Sequence, residues 1–275
     1  MHSPWSFLRG RIAARAAIGL GFLAATSLPT HALEVTPDPA FSVPPGYTLA
    51  WSDEFADSAL DLSKWAYRTD SKAWSTQKPE NVSLSGGFLH LSLKKEPAEG
   101  KNYTGAGIIS KQSFRFGFYQ ARCRIPAGAG WHNSFWMMDY DPAVGANPDH
   151  IGSRASSITQ ELDALENDSS HLNDYEVNYH KWISPHREIG HKVVQTPDLS
   201  ADFHVWGCEF TPETVRYYFD GQIVQSVDVS GLPQGDQRIW LTSIARSPLG
   251  GATPVDDSKL PGEFVVDWVR YYRHE

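Results

Sequence analysis

Val215-Arg-Tyr-Tyr-Phe-Asp-Gly-Gln-Ile-Val224 reads as a β-hairpin, with bulky residues alternating on both sides of Asp220-Gly221. That dipeptide suits the two successive positive-φ positions of a tight hairpin turn. Working outward, Phe114-Arg-Phe-Gly-Phe-Tyr-Gln-Ala-Arg-Cys-Arg-Ile125, Phe88-Leu-His-Leu-Ser-Leu93 and Phe264-Val-Val-Asp-Trp-Val-Arg-Tyr-Tyr272 alternate in the same way. Alternation at a period of two places one set of side chains on each face of a strand. No segment keeps a helical period for three turns between caps. Many short strands punctuated by Gly, Pro and Asn predict an all-β chain, a sandwich of jelly-roll type.

Within this β-rich chain, Glu161-Leu162-Asp163-Ala164-Leu165-Glu166 carries three acids at i, i+2 and i+5. In a regular strand Glu161 and Asp163 share a face and Glu166 points away. A β-bulge near Ala164 and Leu165 would return Glu166 to the shared face. Three carboxylates crowded there would raise at least one pKa and hold one group protonated beside another that is ionised. Glycoside hydrolysis uses such a pair, one carboxylate to attack and one acid to protonate the departing oxygen. The alternatives on spacing alone are a solvated acidic edge strand, or a helical turn with Leu162 and Leu165 inward.

The start of the chain has a different character. Arg9, Arg11 and Arg15 precede an apolar run from Ala16 to Leu28, and Thr30-His31-Ala32 follows. This is the pattern of a secretory signal peptide over residues 1–32, too short to span a membrane. A Pro-rich lead is expected over 33–46 and a single domain over 47–275, secreted or periplasmic. Removing 1–32 takes away three Arg and no acids, leaving 21 basic and 32 acidic residues, a net charge near −11. Such a surface excludes nucleic acid and anionic membranes as partners; a monomer is expected. Cys123 and Cys208, the only two cysteines, form either one disulfide or two buried thiols. His171, His180, His186 and His191 fit no compact zinc-ligand spacing and read as scattered surface and cleft histidines.

Trp131 and Trp136 lie upstream of the acids and Trp182 downstream. Apolar faces of sugars stack on aromatic rings, so these three are candidate substrate platforms. Trp51, Trp65, Trp206, Trp240 and Trp268 sit in apolar strand contexts and are expected in the core.

An ordered series of motifs then resembles glycoside hydrolase family 16. Trp51-Ser-Asp-Glu-Phe55, Leu60-Asp-Leu-Ser-Lys-Trp65, Lys78-Pro-Glu-Asn-Val-Ser-Leu84, Gly107-Ile-Ile-Ser-Lys111 and Phe116-Gly-Phe-Tyr-Gln-Ala-Arg122 come first. Phe135-Trp136-Met-Met precedes the acids, and Phe210 to Gly221 and Val266 to Tyr272 close the series, about residues 47 to 273 in all. The resemblance implies a concanavalin-like jelly roll of two curved antiparallel sheets with an open cleft. It implies a retaining double displacement with Glu161 as nucleophile, Glu166 as acid and then base, and Asp163 tuning the nucleophile.

The acid motif is in the bulged form, similar to the laminarinase, agarase and carrageenase branches. By the same resemblance Trp136 lies near the cleavage point, Asn81 binds sugar on the glycone side, and His180 is a cleft histidine placed to orient Glu166. Asp267 matches a carboxylate that in many members helps to hold a structural calcium; the alternative is a strand acid without metal. No cofactor is expected for catalysis.

Typical β-1,3-glucanases read Trp-Pro-Ala where this chain has His132-Asn133-Ser134, and Gly-Thr-x-His where it has Val177-Asn178-Tyr179-His180. The polar stretch from Asp141 to Ile158 is expected to border the cleft. The function expected is a secreted endo-acting retaining β-glycanase acting on a polysaccharide, β-1,3-glucan first. An agarase- or porphyranase-type β-galactanase, a transglycosylase and a non-catalytic lectin on the same fold are the alternatives.

Overall fold

The Asp220-Gly221 turn forms as read: φ is 45° and 77° at its two residues, and Phe219 pairs with Gln222 across it. The computed structural model describes residues 43–138, 160–246 and 253–275. All of these belong to one compact unit, Pro37–Glu275. The signal-peptide reading of 1–32, most of the Pro-rich lead and the stretch from Asp141 to Ile158 lie outside the described residues. Among the described residues no helix is long and apolar enough to cross a membrane.

The strands, in chain order, are β1 (Tyr47–Asp53), β2 (Trp65–Tyr67), β3 (Ser71–Lys72), β4 (Ser75–Gln77), β5 (Val82–Ser85) and β6 (Phe88–Leu93). Next come β7 (Tyr103–Ser110), β8 (Gly117–Arg124), β9 (Trp131–Met138), β10 (Gln160–Asp168), β11 (Asp174–Lys181) and β12 (Arg187–Gln195). The last five are β13 (His204–Phe210), β14 (Thr214–Phe219), β15 (Gln222–Asp228), β16 (Arg238–Ala245) and β17 (Gly262–His274).

They form two sheets. One runs β15-β14-β13-β8-β17-β6-β5 with β1 added on β17; the other runs β12-β11-β10-β9-β16-β7-β4-β3 with β2 added on β7. Pairings are antiparallel except for β4 with β7, which is parallel, so the second sheet is mixed where a purely antiparallel one was expected. The inner faces meet in one core that takes Leu91, Tyr119 and Trp206 from the first sheet and Phe135, Leu162 and Leu241 from the second. Sequential alternation therefore gives each strand of the second sheet one face for the core and one for the outside.

Trp65 and Trp206 are fully buried in the core and Trp51 packs against it, as expected, whereas Trp268, though 5% exposed, joins no core cluster among the described residues and lies under the Arg270 guanidinium. Trp240 is fully buried as well, but on the opposite face of its sheet, in a small cluster with Ile109 and Met138. Cys123 and Cys208 are free, buried thiols. Their strands are neighbours, but Cys208 pairs with Tyr119 and Cys123 with His204. Four rungs at about 3.3 Å each separate them far beyond disulfide reach.

Candidate active site

The acids sit on β10, in the middle of the second sheet. Glu161, Leu162 and Asp163 pair with Met138, Met137 and Trp136 of β9, and then Leu165 pairs with Phe135, leaving Ala164 without a rung. The same one-residue excess separates Asp163 and Glu166 on the β11 side. Ala164 and Leu165 both enter the core. Strand parity is thereby reset, and Glu161, Asp163 and Glu166 all line one cleft.

Parity on the neighbouring strands brings the rest. His132, Ser134 and Trp136 alternate outward from β9 and Thr242 and Ile244 from β16, with Arg246 just beyond. Arg68 and Lys72 close one side, and His180, Trp182 and His186 stand on the other. Arg68 reaches its place across Gly107, where a Cβ would sit 3.1 Å from the arginine side chain; it is held by Asp70 at 2.5 and 2.8 Å. The wider part of the cleft has a volume of about 550 Å³.

Each acid has a different partner. Trp182 donates its indole N–H to Glu161 Oε2 at 3.0 Å. His132 Nε2 lies 3.2 Å from Glu166 Oε1. His180 Nε2 lies 3.3 Å from Asp163 Oδ2, and its Nδ1 lies 3.1 Å from His186 Nε2. Burial, then the charges of Glu161 and Glu166, push Asp163 well above the carboxylate range. The hydrogen bond between Asp163 and Glu161 works in the same direction, favouring the proton on Asp163 and the ionised form of Glu161. Burial and then the charge of Glu166 push Glu161 up to about 7, opposed by the Trp182 N–H, Lys72 and Asp163. Burial would raise Glu166 as well, but the hydrogen bond and charge of His132, with the charges of His180 and Arg246, outweigh it and hold Glu166 below the usual range. The three acids titrate as a coupled set.

The expected binding residues divide. Trp136 faces the cleft, its ring 4.7 Å from the buried Trp240 beneath it and its N–H 3.3 Å from Thr242 Oγ1. Trp182 faces the cleft too, but its polar edge serves Glu161 and one ring neighbour is His186 at 4.2 Å, nearly parallel. His180 turns to Asp163, not to Glu166 as expected. Trp131 is 2% exposed, packed with Leu93, Ala245 and Val255, so it offers no face to a sugar. Asn81 is 1% exposed and spends its amide on Thr104 Oγ1 and Gly105 O at 2.9 and 3.1 Å; it braces β7. Asp267 accepts from Arg122 at 2.5 Å and joins no converging group of three Asp, Glu, His or Cys donors among the described residues. A guanidinium in the place of a cation does not fit a calcium ion there.

Sequence reasoning missed Arg68, Lys72 and Arg246 as cleft cations and His132 as the partner of Glu166. His132 was open to discovery, because it lies four residues before Trp136 on an alternating strand and so shares its face.

The sequence matches the family model described as beta-porphyranase A–D, glycoside hydrolase family 16 domain, over residues 48–274. A beta-glucanase of Rhodothermus marinus is 30% identical over 258 residues, 83% of this chain and 86% of the relative. Beta-porphyranase C of Zobellia galactanivorans is 24% identical over 277 residues, 82% and 77% of the two chains. The laminarinase catalytic domain of Thermotoga maritima superposes with a TM-score of 0.70 at 19% identity, covering 83% of this chain and 99% of that one.

Proposed function

The chain belongs to glycoside hydrolase family 16, and from that premise we propose that it is an endo-acting β-glycanase that cleaves internal bonds of a polysaccharide by retaining double displacement. The observation that carries the proposal is the single bulge at Ala164, which puts Glu161, Asp163 and Glu166 on one cleft face. In this reading Glu161 attacks the anomeric carbon, Glu166 protonates the leaving oxygen and later deprotonates water, and protonated Asp163 with the Trp182 N–H keeps Glu161 nucleophilic. Trp136 supplies the sugar platform beside them.

β-1,3-Glucan is the first substrate reading, supported by the beta-glucanase relative. A sulfated β-galactan is the second, supported by Arg68, Lys72 and Arg246 in the cleft of an acidic protein and by the porphyranase-type family match. Export by the N-terminal segment 1–32, with 47–275 as the catalytic domain, completes the proposal.

Azide rescue tests the catalytic roles. Glu161→Ala should lose turnover and regain it with azide, giving an α-glycosyl azide, whereas Glu166→Ala should give the β-azide. The reverse pattern would swap the two roles. Product sizing after incubation with laminarin, mixed-linkage glucan, agarose, porphyran and carrageenan identifies the substrate; long transfer products would favour a transglycosylase, and no cleavage of any of them a lectin.

A further inference from the structure

A resting general acid should carry a proton, yet the surroundings of Glu166 favour its carboxylate. His132 is the closest of these, with Nε2 3.2 Å from Glu166 Oε1 and both side chains largely shielded, at 12% and 17% exposure. We propose that His132 and Glu166 form a proton-sharing couple: His132 stores the proton that Glu166 delivers to the leaving oxygen, and takes it back in the second step. This rests on the reading of Glu166 as acid and base.

The couple holds one proton in the resting enzyme. On substrate binding the proton passes from His132 Nε2 to Glu166. It goes on to the glycosidic oxygen as that C–O bond breaks and a Glu161 oxygen bonds to the anomeric carbon. Neutral His132, the Glu166 carboxylate and the glycosyl ester of Glu161 remain. Water then attacks the anomeric carbon, its proton returns through Glu166 to His132, and Glu161 leaves as a carboxylate. In this cycle His132 acts on the sugar only through Glu166, so it is a positioning and proton-holding residue.

Every charged neighbour bears on the couple. From β10 it is faced by Glu166, Asp163 and Glu161 in the cleft and by Asp168 across the strand register. From β11, Glu176 stands opposite Glu166 in the strand register, paired with His191 of β12 at 2.9 Å, and the charge of His180 bears on Glu166, with His186 and Glu188 lining the same cleft. Arg68, Lys72 and Arg246 face it from the opposite wall. The arginines and lysine keep their charge across the working pH range; Glu161, raised to about 7, titrates as the nucleophile on every substrate alike, so the limb that depends on the leaving group is the couple's own.

The consequence lies in the alkaline limb of kcat/KM. With a couple, this limb is the loss of its last proton, which an imidazole ordinarily holds to about pH 6.5 or above; a glutamic acid alone releases it at about 4.3, or somewhat higher when buried. The test compares wild type with His132→Gln, which keeps a donor and cannot store a proton. Two substrates are used: the polysaccharide from the panel that is cleaved fastest, and the 2,4-dinitrophenyl β-glycoside of its disaccharide, whose leaving group needs no proton.

On the polysaccharide the alkaline limb should fall by about one pH unit or more in His132→Gln, while the aryl glycoside shows no such limb in either enzyme. An unchanged limb on the polysaccharide overturns the couple. The same limb on both substrates overturns the acid role of Glu166 itself, a separate failure. If His132→Gln does not fold, His132→Asn, which likewise cannot store a proton, replaces it, and an unchanged limb on the polysaccharide in that variant would overturn the proposal.

Discussion

Glu161 sits against Trp182, Asp163 and Glu166, and its pKa is raised to about 7 by burial and by the charge of Glu166. A carboxyl whose folded value is raised binds its proton more tightly in the folded chain. Its contribution to stability is therefore present below the ordinary carboxylate range and is lost as pH rises from there through about 7. Glu161→Gln should accordingly melt higher than wild type by a few degrees at pH 8.5 and by much less at pH 4, measured by thermal scans. An equal gain at both would sink the raised value. Trp182→Phe keeps the ring and removes the N–H that reaches Glu161 at 3.0 Å. A hydrogen bond to a charged group contributes about 1.5–3 kcal/mol, so kcat/KM should drop roughly 10- to 100-fold, with its acid limb moved to higher pH. Two other residues should behave oppositely. Asn81→Ala should cost about 1–3 kcal/mol of stability, and Trp131→Ala about 3–5 kcal/mol, both with KM for the polysaccharide near wild type, because neither side chain faces the cleft.

At the scale of the element, the function depends on the register of the three acids on β10, and with acids at i, i+2 and i+5 one extra residue must leave the ladder for them to share a face. Ala164 is the one residue without a rung between Asp163 and Leu165. Deleting it leaves Glu161, Leu162, Asp163, Leu165 and Glu166 in strict alternation with the same β9 partners, so all three acids stay in the cleft. Inserting one alanine after Leu165 sends Glu166 toward the core. The deletion should keep the fold and measurable hydrolysis, and the insertion should abolish it; activity in the insertion variant would refute the register. Much of this was legible in the sequence. Alternation marked β6, β8, β14, β15 and β17, the Asp220-Gly221 pair marked the hairpin, and the odd spacing of the acids called for a bulge if all three were to share one face. Alternation says which face a residue takes, not how deep it lies. Trp131 and Trp136 both occur on β9, five residues apart and hence on opposite faces, and one fills a core while the other lines the cleft. Cleft cations were invisible because Arg68 follows the three-residue β2 and reaches the cleft across Gly107, and Lys72 lies on the two-residue β3, both too short to show a period.

At the scale of the molecule, two stacked sheets give one strand face to the core and leave the other as a cleft floor wide enough for a chain of sugars. The protein carries a net charge of −8 while its cleft gathers Arg68, Lys72 and Arg246. If the substrate is a sulfated galactan, its KM should rise steeply between 0.05 and 0.5 M salt, roughly as screening shortens the reach of those charges; a flat profile favours a neutral glucan. The central claim, retaining hydrolysis on this face, has a direct measurement. Proton NMR of a digest by the intact enzyme, followed from the first minute, reads the configuration of each new reducing end before it equilibrates. The β anomer should appear first and the α anomer only later by mutarotation; an initial α product would contradict the double displacement and the roles given to Glu161 and Glu166.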